Sequence, residues 1–168
     1  MKNLILIRHA KSSWDDPDLD DRDRPLNDRG ERDAPLMGAV LKARALAPDQ
    51  LLSSPARRAF KTAKLIASAI GFPVDGITID QRIYLANTGV LLDLIQQLPD
   101  RSNQIVMFGH NPGFTDLVNL LTDAGLGNVP TCGVASIEFT VDSWAAISPG
   151  AGRLGFFDYP KRHRTQAH

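Results

Sequence analysis

Strand-sized apolar runs alternate with stretches of helical spacing along the whole chain, and few architectures accept that order. Leu4–Ile7, Asp49–Ser53, Gly76–Ile79 and residues 104–109 read as strands. Ala135–Val141 alternates as a half-buried strand does, and Gly150-Ala151-Gly152 reads as a tight hairpin leading into Arg153–Asp158. Between the strands, four sets of apolar residues fall on single helical faces: Leu36, Ala39, Val40, Ala43; Ala59, Ala63, Ile66, Ala67, Ile70; Leu91, Leu94, Ile95, Leu98; and Phe114, Leu117, Val118, Leu121. Alternation of this kind predicts the α/β class, as a single-domain, three-layer α/β/α sandwich with a mostly parallel central sheet. The domain is expected over residues 1–160, with a loose polar tail at 161–168.

Helix ends are marked locally. Ser54 reads as an N-cap with Pro55 at the first helical position, and Asn111-Pro112 repeats the arrangement. Gly71 stops the second helix as a glycine beyond the last turn does. The first helix follows a polar loop over Lys11–Asn27; its start is ambiguous, because Pro35 suits only a first turn or a kink.

Three of the strands end in residues that a strand core excludes. Leu4–Ile7 runs into Arg8-His9, Leu51-Leu52 into Ser54-Pro55-Ala56-Arg57-Arg58, and Ile105–Phe108 into Gly109-His110-Asn111-Pro112. In an open α/β sheet such ends gather along one edge, where ligands bind. Two imidazoles and two guanidiniums in one place suit a phosphoryl group, since an arginine pairs two phosphate oxygens at once and stays charged. Arg58 lies one turn into its helix, where the free N–H groups also favour an anion, and Thr62 follows on the same face. A histidine nucleophile has to be neutral; cationic neighbours disfavour the imidazolium, so His9 beside Arg8 and facing Arg58 and His110 meets the requirement. His110 then donates a hydrogen bond to the phosphoryl oxygens.

Composition excludes more than it selects. The 168 residues carry 19 Lys+Arg and 19 Asp+Glu, so there is no general attraction to nucleic acid or to an anionic membrane, and any positive potential must be local. No stretch approaches the ~20 apolar residues that span a bilayer, no apolar leader precedes the first strand, and Cys132 is the single cysteine. A cytoplasmic location is expected. Walker A, His-Glu-x-x-His and Gly-x-Ser-x-Gly patterns are absent, and Cys132 lacks the arginine that a Cys-x5-Arg phosphatase loop requires. The acidic run from Asp15 to Asp23 fails as a calcium loop, with Asp21 where glycine belongs, so a solvated loop is expected there. Trp14 is expected to pack that loop, with contact to substrate as the alternative, and His163 and His168 to be exposed. No cofactor and no metal is expected.

Arg8-His9-Ala10, Arg24-Pro25-Leu26 with Gly30, Ser54 through Thr62, and Gly109-His110 together resemble the histidine phosphatase (phosphoglycerate-mutase-like) superfamily, and within it the short SixA-type phosphohistidine phosphatases. The resemblance implies that His9 is the residue phosphorylated, that Arg8, Arg58 and His110 complete the pocket, and that Arg24 also reaches the phosphate. Arg57 sits one position off the motif. Two departures matter. Ala10 replaces the usual glycine, a small change. The glutamate that esterases and mutases of the superfamily carry as general acid, in a pattern like Asp-x-Arg-Leu-x-Glu, is missing after Asp80-Gln81-Arg82-Ile83-Tyr84. An alkoxide leaving group needs a proton in the transition state, whereas the imidazole of a phosphohistidine needs less help. Asp15 and Asp16 remain as candidates for a substitute acid.

The expected activity is a metal-independent phosphatase that works through a covalent phosphohistidine on His9. Its expected partner is a phosphorylated protein carrying phosphohistidine. The alternatives are a small phosphoester taken by a phosphomonoesterase and a phosphate-binding module with little turnover.

Overall fold

The computed structural model describes residues 1–164. Six strands form one sheet: β1 (Lys2–Arg8), β2 (Gln50–Ser53), β3 (Thr78–Ile79), β4 (Gln104–Gly109), β5 (Val134–Phe139) and β6 (Gly152–Asp158). Their order is β3-β2-β4-β1-β5-β6. β1, β4, β2 and β3 pair in parallel, and β5 runs antiparallel to both β1 and β6. The helices are α1 (Asp28–Ala43), α2 (Arg57–Ile70), α3 (Thr88–Gln96), α4 (Gly113–Leu121) and the short α5 (Lys161–Arg164). This is the expected single-domain α/β sandwich.

Alternating side chains of a strand point to opposite faces, and β1 shows the consequence. Leu4 and Leu6 enter a core with Leu94, Leu117 and Leu121 from α3 and α4, while Ile5 and Ile7 enter a second core with Met37, Leu41, Ala63 and Ile66 from α1 and α2. All four β1 side chains are buried, each contributing on the order of 1.5–3 kcal/mol relative to exposure.

Several local expectations are corrected. The buried face of α1 is Gly30, Asp33, Ala34, Met37, Gly38 and Leu41, one step round from the apolar set read in the sequence, and Ala39 and Ala43 are exposed. Close approach to α2 explains the choice, because Gly38 leaves no room for a Cβ beside Ala69. Asn27 caps α1 by accepting from the Gly30 N–H at 2.9 Å, and Pro35 lies inside the helix on its exposed side, where water can satisfy the orphaned carbonyl. α2 begins two residues later than expected: Ala56 is the cap residue, and Ser54 Oγ accepts from the Ala56 N–H at 3.2 Å. Pro112 likewise precedes the first residue of α4, while the Asn111 side chain accepts from the Thr115 N–H. Gly71 closes α2 in the left-handed conformation, as expected.

β5 is nearly wholly buried, and alternation appears in β6 at the sheet edge instead. The two strands are joined by residues 140–151, which include the buried Trp144 and a 3-10 turn, not by a tight hairpin. The tail is not loose where it is described. His163 Nε2 lies 2.9 Å from the Asp158 carboxylate, and Arg164 pairs with the buried Asp33 at 2.9 Å. His168 lies outside the described residues. Among the described residues, no helix is long and apolar enough to cross a membrane.

Candidate functional site

β1, β2 and β4 end side by side, and their last residues build one site. The His9 N–H donates to the Gly109 carbonyl at 3.0 Å, and the Ser54 N–H donates to the Phe108 carbonyl at 3.0 Å, so the three strand ends are held together by their backbones. Gly109 is needed at this point, since a Cβ there would lie 2.4 Å from the Phe114 ring.

His9 is 8% exposed and its Nδ1 lies 2.7 Å from the Ala10 carbonyl oxygen. A carbonyl only accepts, so Nδ1 carries the proton and Nε2 presents its lone pair. Burial, with the charges of His110, Arg58 and Arg8, outweighs the Ala10 hydrogen bond and holds the His9 pKa at about 3. Its ring centroid is 5.3 Å from that of His110. His110 Nε2 lies 2.7 Å from Ser54 Oγ, and its buried Nδ1 has no partner among the described residues. Burial, then Arg58 and Arg8, bring the His110 pKa to about 4 against the pull of Asp21. Both imidazoles are therefore neutral near pH 7.

Three guanidiniums surround these rings. Arg8, at the last position of β1, donates to the Val129 carbonyl at 3.1 Å and keeps a buried Nε without a partner among the described residues. Arg58, 3% exposed in the first turn of α2, donates to the Asp21 carbonyl at 2.6 Å and to Asp21 Oδ2 at 2.9 Å. Arg24 is buried, donating to the Ser13 carbonyl, Ser12 Oγ and Asp21 Oδ1, with its guanidinium 3.3 Å from the centre of the Trp14 ring. Thr62 ties helix to strand, accepting from the Ala10 N–H at 3.0 Å and donating to the Arg58 carbonyl.

Arg8, His9, Ser12, Trp14, Arg24 and Arg58 line a hollow of about 160 Å³. A wider depression of about 650 Å³ lies beside it against Asp15, Asp16 and Asn27, but it lacks the converging guanidiniums. Of the five residues singled out in the sequence, Arg8, His9, Arg24 and Arg58 line this hollow, and His110 stands beside His9 without lining it. Among the described residues, no three His, Cys, Asp or Glu side chains are grouped to hold a metal ion.

The acidic loop corrects two expectations. Asp15 and Asp16 are exposed and contact none of these residues; the aspartate that reaches the arginines is Asp21. Trp14 is 72% exposed and covers Arg24 without packing into a core. Residues not anticipated from the sequence are Asp21, Tyr84 and the pairing role of Ser54. The Tyr84 hydroxyl donates to Asp21 Oδ2, and its ring stands edge-on to His110 at 5.5 Å. Burial works to raise the Asp21 pKa, but the hydrogen bonds from Tyr84, Arg58 and Arg24 prevail and set it at about 2. The Asp21-x-x-Arg24 spacing was the one local signal for this pair, and it competes with Asp20, four residues before Arg24, and with Asp18, four before Arg22.

Residues 4–84 match the histidine phosphatase superfamily (branch 1). An uncharacterized chloroplastic protein of Arabidopsis thaliana is 33% identical over 166 residues, covering 91% of this chain and 75% of its own length. An uncharacterized protein of Mycobacterium tuberculosis is 33% identical over 165 residues, covering 92% of this chain and all of its own. In three dimensions the chain is similar to the putative phosphohistidine phosphatase SixA from Agrobacterium tumefaciens, with a TM-score of 0.79 and 27% identity over 95% of this chain and 98% of that one.

Proposed function

Because the chain belongs to the histidine phosphatase superfamily, we propose that it is a phosphatase that forms a covalent phosphohistidine on His9 and takes phosphohistidine on a protein as its substrate. The observation that carries this reading is the tautomer of His9. A buried, neutral ring whose Nδ1–H is engaged by Ala10 leaves Nε2 as a free nucleophile among three guanidiniums.

Phosphoryl transfer asks a protein mainly to position groups and to neutralise charge on the equatorial oxygens. In the first step the Nε2 lone pair forms a bond to phosphorus as the bond from phosphorus to the substrate's imidazole nitrogen breaks. The departing imidazole keeps the electron pair and takes a proton from water. Arg8, Arg24 and Arg58 hold the equatorial oxygens, and His110 donates to one of them. In the second step water attacks the phosphoryl group. The P–N bond returns its electron pair to Nε2, and phosphate leaves with a proton passing to solvent.

The leaving group favours phosphohistidine over an alkyl ester. The place where the superfamily's esterases carry a glutamate is Leu85, which is 56% exposed, and Asp21, with a pKa of about 2, is ionised at neutral pH and holds no proton to give. The open hollow admits a residue carried on another protein.

Turnover of a phosphohistidine-bearing protein is to be compared with that of small phosphate monoesters, alongside acid quenching with labelled phosphodonor. Faster turnover of the protein substrate and an acid-labile label lost in His9→Ala are expected. Faster ester turnover overturns the substrate assignment, and the absence of any label overturns the covalent mechanism in favour of a phosphate-binding module.

A further inference from the structure

We infer that Asp21 is a positioning residue that aligns Arg24 and Arg58 and, by its charge, limits how tightly the hollow holds phosphate. The inference rests on the reading of that hollow as a phosphate site. Two guanidiniums with side chains only 9% and 4% exposed share this one carboxylate, Arg24 on Oδ1 at 3.0 Å and Arg58 on Oδ2 at 2.9 Å. They arrive from unrelated parts of the chain, the loop before α1 and the first turn of α2. Charges this far from water need a counter-charge to stay in place. Among the described residues, Asp21 is the only carboxylate paired with any of the cationic residues lining the hollow; Arg8 and Lys11 have none.

The carboxylate also leaves donors free. A guanidinium carries five N–H groups. Asp21 takes two from Arg58, through its carbonyl and its carboxylate, and a single one from Arg24. Asp21 therefore orients the pair without consuming it. Its negative charge subtracts from a hollow that would otherwise hold four cationic side chains against one phosphoryl group. A site that binds its product too well turns over slowly, because binding the ground state tightly does not speed the chemical step. Tyr84 tunes the same charge: its O–H donates to Oδ2 and draws that charge away from the arginines.

Inorganic phosphate binding to the full chain, followed by calorimetry, tests this without needing turnover, and steady-state kinetics on a phosphorylated substrate reads the other half. In Asp21→Asn, where the backbone carbonyl and the side-chain Oδ1 still accept from the arginines but the charge is gone, phosphate should bind about tenfold more tightly, with KM and kcat both falling about tenfold. In Tyr84→Phe the carboxylate regains its full hold on the arginines, so phosphate should bind about threefold more weakly. Opposite signs in the two variants are what simple damage to the fold cannot produce. Phosphate affinity that is unchanged or weakened in Asp21→Asn overturns the inference, and if that variant does not fold, unchanged or tighter binding in Tyr84→Phe does so. Wild-type protein with no affinity for phosphate would remove the site itself and the functional reading with it.

Discussion

His110 Nε2 sits 2.7 Å from Ser54 Oγ, a contact that joins the end of β4 to the residue just beyond β2. Among the described residues it is the only hydrogen bond of the His110 ring, whose Nδ1 is buried without a partner there. The serine expected to begin a helix thus also orients an imidazole.

Ser54→Ala should leave both ring nitrogens of His110 without protein partners. An unsatisfied buried polar group costs about 1–3 kcal/mol, so the melting temperature should drop. Rotation of the freed ring should lower kcat/KM by about tenfold. Wild-type kinetics in this variant would show that the contact does not orient His110.

Folding depresses the pKa of His9 to about 3 and of His110 to about 4. Unfolded, both titrate near 6.5, so the unfolded chain binds protons first as pH falls. Their contribution to stability is complete above pH 6.5 and is lost as the pH falls toward 4 and then 3. Within that window each histidine should steepen the decline by about 1.4 kcal/mol per pH unit. Denaturant titrations at a series of pH values should give a shallower slope for His9→Asn than for wild type; parallel slopes would contradict the assignment.

Gly30 lets the first turn of α1 close on the loop that follows β1. A Cβ there would stand 2.2 Å from the Lys11 carbonyl oxygen, beside the Asn27–Lys11 hydrogen bond that closes the loop carrying Arg24. Gly30→Ala should destabilise the fold by about 1–3 kcal/mol and weaken phosphate binding through displacement of Arg24. Calorimetry and thermal melts on the same sample separate the two effects.

Arg164 and Arg29 are the two cations on Asp33, a carboxylate whose side chain is 1% exposed. Arg164→Ala should cost about 1–2 kcal/mol, discounted for the solvent that reaches the arginine. Because the pair lies outside the phosphate hollow, kcat/KM should stay within about twofold of wild type. A large kinetic effect with an unchanged melting temperature would refute this division.

Much of the site was legible because its chemistry sits where local pattern breaks. Arg8-His9 and His110 announce themselves by ending apolar runs, and Arg58 by its place one turn into a helix that follows a strand. The face of α1 and the β5–β6 connection were misread for a common reason: small residues such as Ala39 and Ala43 fit either side of a helix, and glycines such as Gly150 and Gly152 mark turns without stating their length. Gly38 against α2 decided the first, and the need to bury Trp144 shaped the second.

Strand ends, the helical faces other than that of α1, and the imidazoles and guanidiniums of Arg8, His9, Arg58 and His110 were thus legible in the sequence, since each depends on neighbours within a turn or two, whereas Arg24 was marked only by the family resemblance. The tertiary structure decided which aspartate of a crowded acidic loop meets the arginines. Asp21 touches Arg58 and Tyr84 across separations of 37 and 63 residues, and Ser54 reaches His110 across 56. Contacts of that range depend on where the sheet edge brings the loops. Six aspartates between Asp15 and Asp23 look alike until packing buries two cations beside one of them, leaving it held by charge where the others remain in water.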